Sequence, residues 1–353
     1  TTGNTPPSVT MPSGGFYIPI ETPFELTGSA TDANGDDLTY CWEQYDLGPV
    51  TSFGDSDLSN PSGTAPIFRS FPPTDSPTRV FPRISDLINN TTVVGELLPT
   101  YTRALNFKLT VRDNNSGSGG VDDGLVNFTA TATAGPFIVT APNTSESWQG
   151  NSSETVTWNV ANTNTGLVNS PNVDIFMSAD GGLTYPFLLA DDVPNDGSQD
   201  IVVPNVTTTD ARIKVKGANN IFFDISNTNF SVNQNFEFSL DAQLVDIIEP
   251  VGSVCGSSFT PVINVANQGS TQINSLMIQY SFGGSSYLYF NFIGDIDSGE
   301  NTNIELPSLS ILDPGTANFL ATITSVNGSE DENIGNNTAS EFFILTDPQT
   351  GLN

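Results

Sequence analysis

Histidine is absent from all 353 residues, and that absence alone removes several chemistries. Ser-His-Asp and Cys-His nucleophilic catalysis, the HExxH zinc motif and the commonest transition-metal ligand all require imidazole. Positive charge is almost as scarce: nine Lys and Arg stand against 39 Asp and Glu, a formal charge of −30 at pH 7. Phosphate backbones need clustered cations, so nucleic acid is excluded as a partner, and an anionic membrane surface is disfavoured for the same reason. The acids themselves serve either calcium at particular loops or plain solubility in a salty exterior. No run of about 20 apolar residues occurs, so no membrane insertion is expected. The start at Thr1, with neither methionine nor signal peptide, leads us to expect a processed or excised piece of a longer, secreted precursor.

What the chain does contain is apolar material spaced for sheets. Hydrophobic residues make up 37% of the sequence and Phe alone supplies 23 of them, enough for packed interiors between polar loops. Helical spacing is almost missing; apolar and polar residues alternate, between clusters of Gly, Asn, Asp and Pro. From Asn106 to Arg112, the residues Phe107, Leu109 and Val111 face one way while Lys108, Thr110 and Arg112 face the other, the pattern of a half-buried strand. The same alternation predicts strands over 24–30, 38–42, 156–160, 212–216, 262–266, 276–282 and 318–324, with one short helix at 84–89.

This length suits three sandwiches of about 100 residues each. Breaks near Gly135-Pro136 and near Asn233-Gln234-Asn235 divide the chain into residues 1–135, 136–233 and 234–347, with a tail at 348–353. The expected fold class is therefore all-β: three tandem immunoglobulin-like β-sandwich domains. The first carries an insertion at 47–101, rich in Pro, Ser and Asp, which is either a binding surface of its own or a packed flap.

Asp32-Ala33-Asn34-Gly35-Asp36-Asp37 places oxygen-bearing side chains around a glycine that permits a sharp turn. Calcium takes about six to eight oxygens. Asp32, Asn34 and Asp36, joined by Asp113 from the acidic loop that runs to Asp122-Asp123, and by Glu21, form a candidate Ca2+ cage. Asn-Gly-Asp is also ordinary hairpin chemistry. The segment from Ser178 to Tyr185 resembles the Asp-box hairpin, Ser-x-Asp-x-Gly-x-Thr-Trp, with Tyr185 in the aromatic place; its Asp180 is expected to satisfy turn amides.

In the segment from Ser286 to Phe292, Leu288, Phe290 and Phe292 should point inward. That leaves Tyr287 and Tyr289 as an outward pair that stacks on a sugar, packs on another subunit, or pairs across strands. Lys108, Lys214 and Lys216 fall on the polar phase of their strands and are expected in solvent, not poised as bases. No pair of acids stands out as a glycosidase dyad, and Asn-x-Ser/Thr sequons arise by chance in so Asn-rich a chain. The two cysteines, Cys41 and Cys255, fall in different domains, so each is a free thiol or a candidate for an intermolecular disulfide. Cys41, out of phase with Tyr40 and Trp42, is expected to face outward.

Residues 32–42 (DANGDDLTYCW) and 109–114 (LTVRDN) resemble the polycystic-kidney-disease-type and cadherin-like domains of secreted bacterial proteins. Residues 136–160, 173–185 and 192–205 are similar to a sandwich repeated in Bacteroidetes exoproteins, and 255–269 with 333–340 resemble a CARDB domain. The first two domains together resemble the region that follows the catalytic domain in reprolysin-like zinc metallopeptidases of the type IX secretion system. The zinc-binding helix and the C-terminal sorting domain of that family are not in this sequence. The expectation is a non-catalytic extracellular or cell-surface array for adhesion, spacing or assembly, whose partner is another extracellular protein, a second copy or a glycan. An accessory region of a metallopeptidase and a carbohydrate-binding protein are the alternatives.

Overall fold

Leu105, Phe107, Leu109 and Val111 are fully buried along the strand Arg103–Arg112, while the residues between them are half-buried or exposed. The alternation read from the sequence thus becomes a sheet with one dry face. The computed structural model describes residues 3–49, 61–255, 258–283, 286–310 and 315–346; the expected tail at 348–353 and residues 50–60 of the insertion lie outside them. Contacts divide the chain into two units, Thr1–Asn233 and Gln234–Asn353.

The first unit holds two sandwiches. One is built on a four-stranded sheet ordered Tyr17–Pro19, Val121–Thr131, Arg103–Arg112, Thr39–Gln44, faced by the pair Phe24–Thr27 and Thr78–Phe81. Between them Phe24, Phe68, Phe81 and Phe107 meet with ring centroids 4.8–6.0 Å apart, mostly edge to face. Truncating one such ring to Ala costs about 3–5 kcal/mol. Phe68 and Phe81 come from the 47–101 insertion, whose described part is thus a packed flap; its short helix Ile84–Ile88 accepts Arg212 Nη2 at the Ile88 carbonyl at 2.9 Å.

The second sandwich sets the order Ser147–Gln149, Phe230–Asn233, Thr208–Gly217, Asn172–Ser178, Phe187–Pro194 against Ser198–Val202, Ser153–Asn159, Ile138–Ala141. One buried apolar cluster runs through both sandwiches. Their seam is therefore more than the Gly135-Pro136 connection. Phe223 N donates to the Pro23 carbonyl at 2.9 Å, Glu25 N to that of Ile221 at 3.0 Å, and Phe137 N to Thr22 Oγ1 at 2.9 Å.

The second unit packs Ala242–Glu249, Val262–Asn267, Asn301–Glu305 on a five-stranded sheet ordered Ser253–Cys255, Thr338–Thr346, Gly315–Val326, Ile273–Phe282, Leu288–Ile296. Ile263, Val265, Ile278, Phe319 and Phe343 fill the space between. The fold class is the expected one: all-β, tandem immunoglobulin-like sandwiches.

Three sequence expectations are corrected. Lys214 and Lys216 are not in solvent, because the face of Thr208–Gly217 that carries them is covered by the first sandwich; Lys214 Nζ and Lys216 Nζ each reach Glu25 at 2.7 Å. Cys41 does not face open water, because Thr74 pairs with Tyr40 and the Cys41 thiol donates to the Phe71 carbonyl at 3.4 Å under the insertion. Burial there pushes the thiol pKa up. Leu288 is exposed, since it opens an edge strand with no neighbour on its outer side among the described residues.

The Asp-box-like hairpin is built as its sequence implies. Asp180 accepts from the Ser178 hydroxyl (2.6 Å), the Thr184 hydroxyl (2.6 Å) and the amides of Thr184 (2.9 Å) and Leu183 (3.1 Å), while Gly181 and Gly182 supply positive φ. Burial raises the pKa of Asp180, but the four donors outweigh it and bring it to about 2. Its contribution to stability is present above the unfolded value near 4 and is lost as pH falls through about 2. We predict that Asp180→Asn is less stable than wild type at pH 5 to 7 by denaturant titration, and that the two converge toward pH 2.

Asp224 behaves oppositely. It is buried at the seam, accepts from Val139 N at 2.7 Å, and desolvation pushes its pKa up to about 7 against the amides of Val139 and Ile225. A raised carboxyl pKa means that stability is greatest with the group protonated, full below pH 4 and lost as pH rises to about 7, at a cost of roughly 4 kcal/mol. Asp224→Asn should flatten this segment of the stability–pH curve between pH 4.5 and 8, whatever its offset. An unchanged slope would show that Asp224 ionises freely.

Candidate functional site

At one end of the first sandwich the chain brings together Asp32, Asp36 and Asp113, whose carboxylate oxygens lie within 4.8 Å of one another. The local chemistry explains the convergence. Asp32 closes an Asx turn, its Oδ1 accepting Asn34 N at 2.7 Å and Asp36 N at 3.2 Å, with Gly35 at φ +78° letting the chain double back. Asp113 follows the last residue of the Arg103–Arg112 strand and is 1% exposed. Its Oδ1 accepts Gly120 N at 2.7 Å and Asn115 N at 3.2 Å, and its Oδ2 accepts Asn4 Nδ2 at 2.6 Å. Burial raises its pKa, but these donors from Asn4, Gly120 and Asn115 prevail and hold it below the usual carboxylate range, so the group is ionised.

Three carboxylates at this range repel by roughly 3 kcal/mol per pair at an effective dielectric near 20. Among the described residues no Lys or Arg is ion-paired to them. Two oxygens of the cluster are orphaned: Asp32 Oδ2, part of one of these carboxylates, and Asn4 Oδ1 are shielded from solvent and have no hydrogen-bond partner among the described residues. An oxygen-only donor set of this kind fits a hard divalent cation.

The predicted ligands divide. Asp32, Asp36 and Asp113 meet, whereas Asn34 Oδ1 is engaged by Thr5 N at 2.8 Å. Glu21 stands at the other end of the sheet. Pro19 pairs with Thr131, while Asp113 follows Arg112, which pairs with Val121, so the two ends lie ten residues apart along one strand, roughly 30 Å. Asp122 and Asp123 serve other partners, Val9 N at 2.9 Å and Lys108 Nζ at 3.0 Å. Asn115, in the acidic loop read from the sequence, donates its Nδ2 to Asp36 Oδ2 at 3.1 Å, whereas sequence reasoning missed Asn4. Asn4 precedes the first strand and lies 109 residues from Asp113 in the chain, with no local pattern to mark it.

In the second unit Tyr287 and Tyr289 are 55% and 62% exposed. Tyr289 is steadied from the neighbouring strand by Gln279 Nε2, which donates to its hydroxyl at 2.8 Å. Phe290 and Phe292 point into the core as expected. Cys255 is an exposed free thiol on the edge strand Ser253–Cys255, and Cys41 is a half-buried one.

No protein-family profile matches the chain, and no curated protein does. Among solved structures it is similar to the CARDB domain of a Pyrococcus furiosus protein in complex with di-metal ions, at 18% identity over 32% of this chain and 94% of that one, TM-score 0.26. It is also similar to SGBP-B of the Bacteroides ovatus mixed-linkage glucan utilization locus, in complex with a mixed-linkage heptasaccharide, at 12% identity over 98% and 71%, TM-score 0.19. A third is the N-terminal four Ig domains of Dscam1, at 11% identity over 96% and 73%, TM-score 0.24. The tandem sandwich architecture itself is established by the chain's own sheets.

Proposed function

We propose that this chain is a non-catalytic extracellular array of sandwich modules, residues 1–135, 136–233 and 234–347, that spaces, adheres or assembles. A calcium ion held by Asp32, Asp36, Asp113 and Asn4 stiffens one end of its first sandwich. The observation that carries the calcium reading is the meeting of three carboxylates, one with an orphaned oxygen, beside the orphaned Asn4 Oδ1, with no Lys or Arg ion-paired to them among the described residues. Calcium would neutralise the repulsion and tie the Asp32–Asp36 turn, the loop after Asp113 and the chain near Asn4 into one body. That is a structural use. The exposed pair Tyr287 and Tyr289 supports a glycan or a second protein as the partner of the last module. The competing reading, an accessory region of an exported reprolysin-like metallopeptidase, is tested by the precursor: an HExxHxxGxxH helix upstream of Thr1 would establish it.

Calcium at about 100-fold over its Kd should stabilise the folded chain by about 2.7 kcal/mol, raising Tm by roughly 5 to 10 °C for a body of this size, and excess chelator should reverse it. Asp36→Asn should abolish the calcium-dependent rise, and in chelator it should melt no lower than wild type because one of three repelling charges is gone. An equal Tm with calcium and with chelator would overturn the calcium reading.

A further inference from the structure

Between the two sandwiches of the first unit lies a cleft of about 540 Å³, within the range of small-ligand sites. Its two sides come from features that the array function leaves unused. The 47–101 insertion contributes Phe71, Arg79 and Arg83; the Asp-box-like hairpin contributes Tyr185, and Lys214 stands beside it. Tyr40 closes the wall on the first sandwich.

The charge of this cleft runs against the whole protein. The chain has nine cations and 39 acids, yet the cleft is lined by Arg79, Arg83 and Lys214 and by a single acid, Glu25. Glu25 is already claimed twice: Oε2 takes Lys214 and Oε1 takes Lys216, both at 2.7 Å. Two ammonium groups thus share one carboxylate, leaving a positive charge in excess. Arg79 pairs with Glu96 at 2.7 Å, but its Nε is buried without a partner among the described residues. Arg83 pairs with Asp86 through Nε and Nη2, and its side chain remains 46% exposed.

The aromatic rings of the cleft are held in place by cations over them. The Arg69, Arg79 and Arg83 guanidinium carbons lie 4.8–5.6 Å from the Phe71 ring centre, and Lys214 Nζ lies 5.5 Å from that of Tyr185. Hydroxyls of Thr74 and Ser76 stand among the lining groups.

We infer that this cleft binds an acidic saccharide unit, a uronate whose ring face lies on Phe71 or Tyr185 and whose carboxylate takes the Arg83 guanidinium and the Lys214 ammonium. The three elements answer the three parts of such a ligand. Aromatic faces take the C–H face of a pyranose, hydroxyls take its hydroxyls, and charge-assisted donors take its carboxylate. A neutral sugar would leave the excess positive charge uncompensated. In a protein of −30 charge, a local concentration of cations offsets the surrounding field that would otherwise repel an anion. This site is independent of the calcium reading, from which it differs in ligand, residues and place.

The test uses the full chain with digalacturonate as probe and a neutral digalactoside as control. Calorimetry or NMR titration should give a Kd below about 1 mM for the acidic probe, with the neutral one at least about tenfold weaker. Added salt should weaken the acidic probe. Because Cys41 lines the cleft while Cys255 lies in the other unit, bound digalacturonate should slow alkylation of Cys41 several-fold and leave Cys255 unchanged. Arg83→Gln should weaken binding about tenfold. Absence of binding at about 10 mM, equal affinity for both probes, or binding that leaves Cys41 unprotected would overturn the inference. So would an acidic peptide that protects Cys41 where the uronate does not.

Discussion

The seam of the first unit depends on one carboxylate. Glu25 leaves the strand Phe24–Thr27 of one sandwich and receives Lys214 and Lys216 from the strand Thr208–Gly217 of the other. Burial alone would raise the Glu25 pKa and neutralise it, but the two ammonium groups outweigh that and hold it below its usual value. The ion triad is worth little as raw stability, since three charges leave water to form it. What it supplies is register. Around it, Phe223 N donates to the Pro23 carbonyl and Glu25 N to that of Ile221, pairing Phe24 with Phe222 across the seam, and the apolar cluster continues across. A shift by one residue would turn both lysines away from Glu25 and bury them unpaired, which is far costlier.

Scarcity of positive charge shapes the rest. Every Lys and Arg lies at or before Lys216, so the unit Gln234–Asn353 has none. Its buried acids are satisfied by amides instead. Asp331 accepts from Ala242 N and Asn333 N at 2.9 and 2.8 Å, and Asp241 from Asn336 Nδ2 at 2.8 Å and Asn333 Nδ2 at 3.2 Å. Asn267 does the equivalent service, donating to the Thr271 and Ile296 carbonyls at 2.9 Å and accepting Gly269 N. The abundance of Asn, which reads from the sequence as loop chemistry, is in part a substitute for arginine. In the first unit the same scarcity leaves Asp32, Asp36 and Asp113 facing one another with no Lys or Arg paired to them among the described residues, while Lys214 and Lys216 are spent at the seam.

The residues of the acidic cluster show how far local pattern reaches. Asp32, Gly35 and Asp36 were legible because an Asx turn writes its requirements within five residues. Asp113 was legible because an acid directly after a strand belongs to the same end of the sandwich as other loops of that end. Glu21 was misplaced because which end a loop occupies depends on strand direction. Asn4 was missed because its partner, Asp113, lies more than a hundred residues away. Strand phase had the same limit: it put Lys214, Lys216 and Cys41 on the outward face correctly, but outward from one sheet is not outward from the protein when an insertion or a second sandwich lies over that face.

By itself, then, the sequence determined the all-β class, the strands and the hairpin chemistry, because two-residue alternation and turn residues act on nearest neighbours, and it excluded histidine-dependent chemistry by composition. Tertiary structure alone decided which acids converge, that the insertion packs as a flap, and that three of the few cations line one cleft. Those outcomes depend on contacts between segments far apart in the chain, where packing of whole faces, not local spacing, sets which side chains meet.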